Sequence, residues 1–282
     1  MTKRSLPASD RPLTEHSFAT GEVVLNYAEL AGGSRPLVLI HGVVGIWQNW
    51  KAIFPLLSPD WHVYAIDMRG HGLSSHVEGR YNVDEYSRDT VRFIEGKVGQ
   101  PAFLMGLSLG GLVALGTAGR RPDLVKAFVM EDPSFCYADH YEGTEFKEWF
   151  GQTRSLVGLG LTEARLRARV ARLFPDFSIE ARKELAYCLS HLAPGVLDAA
   201  LEGRYFTRAT SAPLLRAARR PALIMQADPR SGGGLPDDEA AYALDLLPDG
   251  RVIKWPDSGH VLHRKFPERF VQQVEAFFSD YV

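Results

Sequence analysis

Short apolar runs alternate with helical patterns along most of the chain. Continuous apolar runs such as 36–40 and 102–105 are typical of strands that are buried on both faces. Residues 83–98 carry their apolar side chains on one face, which predicts an amphipathic helix. Further predicted strands are 23–28, 61–66, 126–131, 222–226 and 251–254, and a last helix is predicted from about Pro267. This alternation predicts an α/β fold with a mostly parallel sheet and helices on both faces.

The alternation breaks between residues 134 and 219, where helical patterns replace the strand signals. We interpret 134–219 as a helical cap insertion in an α/β core formed by 21–133 and 220–282. Residues 1–20 form a polar, proline-containing lead-in segment. A chain of 282 residues is ordinary for one α/β domain with an insertion.

A serine lies at the predicted turn between a strand and a helix. The segment Gly106-Leu107-Ser108-Leu109-Gly110 follows the run 102–105 and precedes the helical pattern at 112–115. In such a Gly-x-Ser-x-Gly turn the serine has a strained backbone and an exposed hydroxyl, and the glycines let neighbouring backbone pass close by. Ser108 is therefore the candidate nucleophile.

A serine hydroxyl is a poor nucleophile until a base takes its proton and a carboxylate orients that base. Of the nine histidines, His260 lies in the loop between the predicted strand 251–254 and the last helix. Loops at the carboxyl ends of strands are where open α/β sheets place their functional groups. We therefore predict that His260 is the base and that His263 enters the final helix.

The run 36–40 ends in His41-Gly42-Val43. Backbone N–H groups after such a strand can point at an oxyanion. The N–H groups of Val43 and Leu109 would then form a pair of preorganised donors. His41 itself is predicted to be structural.

Four segments together resemble the α/β-hydrolase superfamily. They are His41-Gly42, Asp67-Met68-Arg69-Gly70-His71-Gly72, the turn around Ser108, and Ser258-Gly259-His260. The resemblance extends from about Val23 to Val282 and implies a mostly parallel, eight-stranded sheet flanked by helices. It also implies a catalytic serine, acid and histidine in that order. Asp67 and His71 are interpreted as structural.

The acid departs from the usual pattern of this superfamily. Most members place it in a Gly-x-x-Asp turn, but the corresponding segment here places Arg230 at the expected position and Asp228 two residues earlier. Asp132 follows the predicted strand 126–131, similar to the position of the acid in some dehalogenases and lactonases of this fold. Asp132 is the preferred acid, Asp228 is the alternative, and Glu131 or another carboxylate stays open.

Composition and charge exclude several classes of protein. Hydrophobic residues make up 45% and charged residues 23%, as in soluble globular proteins. The net charge of −2 gives no electrostatic reason to expect nucleic acid or an anionic membrane as partner. No apolar stretch approaches the roughly 20 residues of a membrane helix, and no signal peptide is recognisable. We expect a cytoplasmic protein without nucleic-acid or membrane partners, and a homodimer stays open.

The cysteine pattern and the lack of metal-binding and phosphate-binding motifs in the sequence predict no metal or cofactor. Cys136 and Cys188 have no metal-ligand spacing and are too few for a disulfide framework. No His-Glu-x-x-His sequence and no phosphate-binding loop occurs. Both cysteines are therefore expected to be packing residues.

Aromatic residues follow the predicted catalytic loops. Trp47 and Phe135 lie closest to these loops in sequence, and we predict that they line an apolar substrate pocket. Other aromatic residues that are either pocket or core residues are Tyr137, Tyr141, Phe146, Trp149 and Phe150.

These observations support a metal-independent serine hydrolase that cleaves a carboxylic ester or lactone of a largely apolar small molecule through an acyl-enzyme. Carbon–carbon bond hydrolysis, amide hydrolysis and acyl transfer use the same residues and stay open. A non-catalytic, small-ligand-binding protein with this fold is a further alternative.

Overall fold

A computed structural model of the chain describes residues 11–140 and 143–282. Its centre is an eight-stranded sheet with the strand order β1-β2-β4-β3-β5-β6-β7-β8. The first two pairings, β1 with β2 and β2 with β4, are antiparallel, and the others are parallel. The strands are β1 (Leu13–Ala19), β2 (Val24–Leu30), β3 (Arg35–Ile40), β4 (Trp61–Ile66), β5 (Ala102–Leu107), β6 (Val125–Glu131), β7 (Ala222–Ala227) and β8 (Gly250–Trp255). The predicted α/β fold with a mostly parallel sheet is confirmed.

The central strands are buried on both faces, which explains their continuous apolar sequences. Because side chains alternate along a strand, Leu104 packs into the core on one face of β5, and Phe103 and Met105 pack into the core on the other. Helices α1, α2, α8 and α9 contribute to the first core. Helix α11 and the short 3₁₀ turns between β3 and β4 contribute to the second.

The helices connect the parallel strands and flank the sheet. Their bounds are α1 (Val83–Phe93), α2 (Leu109–Arg120), α3 (Tyr137–His140), α4 (Glu145–Arg154), α5 (Glu163–Leu173), α6 (Ile179–Ser190), α7 (Pro194–Leu201), α8 (Arg208–Ala217), α9 (Asp237–Leu246), α10 (Leu262–Lys265) and α11 (Pro267–Ser279). Among the described residues, none of these helices is long and apolar enough to cross a membrane.

The amino-terminal segment differs from its prediction as a lead-in over 1–20. Residues 1–10 lie outside the described residues, but Leu13–Ala19 forms β1, which pairs with β2 along its whole length. This edge strand is almost entirely exposed, and only Phe18 packs against the core. Because β1 is held by backbone hydrogen bonds rather than by burial, it lacks the apolar pattern that predicts a strand.

In the described part of the segment between β6 and β7 there are six helices, α3 to α8. Within this segment α4 packs on α7, and α5 packs on α6. Helix α8 instead packs against α2 and α9. The helical part of 134–219 therefore returns to the α/β core at α8, before the predicted end of the insertion.

Candidate active site

Ser108 lies at the turn between β5 and α2 with φ at +52°. Positive φ is unfavourable for a residue with a side chain. The turn is held by the Ser108 N–H, which donates to the carbonyl oxygen of Glu131 at 2.7 Å. A Cβ atom on Gly106 would lie 2.1 Å from the carbonyl oxygen of Gly110, so the close approach of β5 and α2 requires glycine there. The turn therefore has the strained, glycine-flanked geometry that the sequence predicts.

His260 and Asp132 are brought together from loops after β8 and β6. The Nδ1–H of His260 donates to Oδ2 of Asp132 at 2.6 Å. The carboxylate also accepts the N–H of Ala227 on Oδ1 at 3.0 Å and the N–H of Gly234 on Oδ2 at 2.6 Å. Asp132 is fully buried and, like Ser108, has a positive φ, +47°. Three donors thus fix the orientation of the carboxylate, which in turn fixes the histidine ring.

The charge of Asp132 also changes the basicity of His260. Burial alone lowers the pKa of a histidine, because the imidazolium loses its hydration. The hydrogen bond and the charge of Asp132 outweigh this effect, so the pKa of His260 lies above its usual value of 6.5. Asp132 therefore stabilises the protonated ring.

The alternative acid, Asp228, is engaged elsewhere. Its carboxylate accepts the backbone N–H and the guanidinium of Arg230, at 3.0 and 3.2 Å, and the N–H of Asp257 at 3.3 Å. The hydrogen bonds from Arg230 lower the pKa of this carboxyl group. Of the two predicted acids, the structure places Asp132 at His260 and Asp228 at the N-terminus of the 3₁₀ turn Pro229–Ser231.

A second histidine–carboxylate pair lies beside the first. The fully buried Glu131 accepts the backbone N–H of His263 at 2.9 Å and its ring Nδ1–H at 2.7 Å. Nε2 of His263 lies 3.2 Å from the carbonyl oxygen of Asn49, and the ring stacks on Trp50 at 4.3 Å between centroids. From the sequence, His263 is predicted to enter the final helix. It lies in α10. The sequence feature that could have indicated this second pair is the presence of two adjacent acidic residues, Glu131 and Asp132, and of two histidines three residues apart.

The two predicted oxyanion donors border the same cavity as Ser108 and His260. Val43 follows β3, and Leu109 is the first residue of α2. Within residues 11–140 and 143–282, neither backbone N–H donates to a protein acceptor. Both N–H groups are therefore available to a ligand atom.

The residues that were predicted to be structural are buried in hydrogen-bond networks. Nε2 of His41 accepts the N–H of Met68 at 3.0 Å, and burial holds the pKa of His41 well below its usual value. Burial also lowers the pKa of His71 to about 4 and raises that of Asp67 to about 6. Asp67 accepts the N–H of Trp47 at 2.7 Å. These groups fix the loops after β3 and β4.

A cavity of about 740 Å³ contains Ser108, Asp132 and His260 in its lining. Its walls are mainly apolar, and about half of the lining residues come from the segment 134–219. Members of this apolar lining are Leu112, Phe146, Trp149, Phe150, Phe174 and Leu185. The ring of Phe146 packs edge-on against His260, with 5.1 Å between centroids. Helix α4 therefore contacts the candidate base, His260, directly.

Two of the predicted pocket residues do not line the cavity. Trp47 is buried in the core on the α11 side of the sheet, and its ring nitrogen donates to Glu15 of β1 at 2.8 Å. Phe135 is fully buried in the core, and Glu239 accepts its backbone N–H at 2.8 Å. Tyr137 does line the cavity, and Tyr141 lies outside the described residues.

The chain belongs to the α/β-hydrolase family, because the sequence profile of the α/β-hydrolase fold matches residues 35–266.

Among the described residues, no group of three His, Cys, Asp or Glu side chains is arranged to hold a metal ion.

Curated relatives are similar over almost the whole chain. One is 2-(acetamidomethylene)succinate hydrolase of Mesorhizobium japonicum, 27% identical over 264 residues, which cover 92% of this chain and 93% of the relative. Another is pyrrolizixenacetamide deacetylase of Xenorhabdus hominickii, 25% identical over 267 residues, which cover 91% and 95%. The crystal structure of E-2-(acetamidomethylene)succinate hydrolase superposes with a TM-score of 0.74 at 22% identity, covering 95% of this chain and all of that one. The structural likeness supports the fold.

Proposed function

We propose that this chain is a serine hydrolase that cleaves a carboxylic ester or lactone of a largely apolar small molecule through an acyl-enzyme. The observation that carries the proposal is the 2.6 Å hydrogen bond between His260 and Asp132 at a cavity that Ser108 also lines. A buried carboxylate on Nδ1 leaves Nε2 of the ring to exchange protons with a serine and a substrate.

The residues have distinct roles in this mechanism. Ser108 attacks the carbonyl carbon while Nε2 of His260 takes the hydroxyl proton. Asp132 stabilises the imidazolium that forms, in keeping with the raised pKa of His260. The N–H groups of Val43 and Leu109 donate to the oxyanion, and one such donor typically contributes roughly 3 kcal/mol of transition-state stabilisation.

Collapse of the tetrahedral intermediate completes the first half of the reaction. The carbon–oxygen bond of the ester breaks, and His260 gives its proton to the leaving alcohol. A water molecule then loses a proton to His260 and attacks the acyl-enzyme, so the acid is released and the Ser108 hydroxyl is restored. The reaction consumes one water and needs no other reactant.

The lining of the cavity supports an apolar substrate. Aromatic and aliphatic side chains dominate its walls, and Ser108 lies among them. A volume of about 740 Å³ is in the range of small-molecule sites. Burial of apolar substrate surface against these side chains would contribute to binding.

Amide hydrolysis is the second candidate. A relative that is similar over 91% of this chain is named a deacetylase, and the same serine, histidine and oxyanion donors can act on an amide. The amide differs from the ester mainly in its poorer leaving group, which needs protonation by His260 as it departs.

Matched substrates test the proposal. We expect the wild-type protein to hydrolyse aryl esters of short and medium acyl chains, and Ser108→Ala to lose this activity while remaining folded by circular dichroism. Aryl amides with the same acyl groups, assayed in parallel, would identify an amidase. Full ester turnover by Ser108→Ala would refute a serine mechanism.

A further inference from the structure

One charged residue lies on the otherwise apolar face that α6 turns toward the cavity. Ala181, Glu184, Leu185 and Cys188 line the cavity, and their spacing places them on one side of the helix. The side chain of Glu184 is 28% exposed, and a partly buried carboxylate gains from hydrogen-bond donors that replace the water it loses. The groups that compensate Glu184 come from the α/β core.

Two donors of the core bind the carboxylate of Glu184. The guanidinium of Arg264 donates to Oε2 at 2.5 Å, and the amide of Asn49 donates to Oε1. Arg264 follows His263 in α10, and Asn49 lies in the 3₁₀ turn Trp47–Ala52, which follows the loop that carries Val43. Both residues also line the cavity.

The Asn49 donor is oriented before any ligand binds. Its side-chain oxygen accepts the N–H of Ile46 at 2.8 Å, which directs the NH₂ group away from the turn. The backbone carbonyl of the same residue lies 3.2 Å from Nε2 of the buried His263. A fixed amide donor beside a guanidinium is a combination that suits a carboxylate.

The charges around the cavity oppose a second carboxylate. Among the described lining residues, Arg264 alone carries a permanent positive charge, and Glu184 engages it. Glu145 and Glu148 lie on the first turn of α4 and are further lining residues with negative charge. A site with excess negative charge disfavours an anionic substrate.

We infer that Arg264 and Asn49 form a carboxylate-binding site on the core side of the cavity, and that Glu184 fills this site. Glu184 then determines specificity: the protein selects substrates without a carboxylate at this position. Removal of the Glu184 side chain frees both donors for a substrate carboxylate. This inference rests on the proposed hydrolase function.

Two esters of equal chain length test the inference, phenyl hexanoate and phenyl hydrogen adipate. The measured quantity is the ratio of kcat/KM for the anionic ester to kcat/KM for the neutral ester. We expect Glu184→Ala to raise this ratio on the order of 10-fold to 100-fold, the range that hydrogen bonds to a charged group support. Adding Arg264→Leu should abolish the increase.

Glu180→Ala is the matched control, since it makes the same substitution on α6 at a position outside the cavity lining. It should leave the ratio unchanged. An unchanged ratio in Glu184→Ala would overturn the inference, and so would an increase that persists in Glu184→Ala/Arg264→Leu. If Glu184→Ala lowers kcat/KM for both esters equally and also lowers the melting temperature, the ion pair only stabilises the packing of α6 on the core, and the inference is likewise wrong.

A binding measurement separates this inference from the proposed function. Hexanoate should raise the melting temperature of Glu184→Ala but not that of Glu184→Ala/Arg264→Leu, and 1-hexanol should not distinguish the two variants. If the wild type hydrolyses neither ester, the hydrolase proposal fails, whereas this thermal shift still supports the carboxylate site. Absence of the shift would overturn the site whatever the activity.

Discussion

Two histidine–carboxylate pairs lie side by side at the ends of β6 and β8, and their surroundings differ. In each pair a ring Nδ1–H donates to a buried carboxylate, at 2.6 Å for His260 and Asp132 and at 2.7 Å for His263 and Glu131. The ring of His260 is 22% exposed, and that of His263 is fully buried. Within the described part of the chain, Nε2 of His260 has no hydrogen-bond partner, whereas Nε2 of His263 faces a backbone carbonyl.

This difference shows that the surroundings, rather than the pair itself, determine what a histidine can do. His260 can exchange protons at the cavity because its second nitrogen is not engaged. His263 instead connects α10, the end of β6 and the turn at Asn49. In the proposed mechanism the Asp132 pair transfers the proton, whereas the contacts of the Glu131 pair position the loops.

The largest expected difference is between the two histidines. His260→Gln should lower kcat on aryl esters by on the order of 10⁶, because loss of the base disables the whole catalytic unit. His263→Gln should lower kcat by no more than about 100-fold, the cost of a small displacement of the loops. Steady-state kinetics normalised to folded protein would measure both, and similar losses in the two variants would remove the distinction between the pairs.

The acids provide the next comparison. Asp132→Asn should lower kcat by about 10⁴, because the amide no longer orients the ring or stabilises the imidazolium. Asp228→Asn, which disturbs the exposed Arg230, should change kcat by about threefold or less. The same assay measures both variants. A large loss in Asp228→Asn with near-normal Asp132→Asn would assign the acid to Asp228.

For the Glu131 pair the expected effect is on stability. Glu131→Gln should lower the free energy of unfolding by about 1–3 kcal/mol, since the amide oxygen can replace only one of the two carboxylate oxygens that accept the N–H groups of the buried His263, and one buried donor loses its partner. Urea denaturation would measure this change, with Glu180→Gln as a control on an exposed helix position. A loss as small as that of the control would show that the buried pair does not hold this region together.

The smallest expected effect is on the pH dependence. Since His260 has to be neutral to act as base and its pKa is raised above 6.5, kcat/KM should rise with pH through a midpoint above this value. One pH unit below the midpoint, kcat/KM should be about tenfold lower than its plateau value at high pH. In Asp132→Asn the midpoint should move to lower pH, because the cause of the raised pKa is removed. A midpoint below 6.5 in the wild type would contradict this electrostatic role.

Much of the fold follows from local pattern. Strands buried on both faces, such as β3 and β5, have continuous apolar sequences, and the turn at Ser108 has its glycines where backbones approach closely. Strand β1 was missed because its exposed edge carries no such pattern. Local sequence predicts elements best where burial determines their composition.

The candidate site was predictable only in part. Ser108 and His260 lie in recognisable segments, but the choice between Asp132 and Asp228 depends on how three loops meet in space. Trp47 and Phe135 are near the catalytic loops in sequence, yet both side chains are buried in the core and not in the cavity wall. The pairing of Glu131 with His263 joins residues 132 positions apart, which no local pattern reports.

The most direct measurement is the labelling of wild type and Ser108→Ala with a fluorophosphonate, followed by intact-mass and peptide analysis. We predict one adduct per wild-type chain, located on Ser108, and none on folded Ser108→Ala. Labelling should be slow in His260→Gln, because the hydroxyl keeps its proton. A folded wild-type protein that binds a small apolar ligand but forms no adduct would contradict the serine hydrolase and favour a binding protein with this fold.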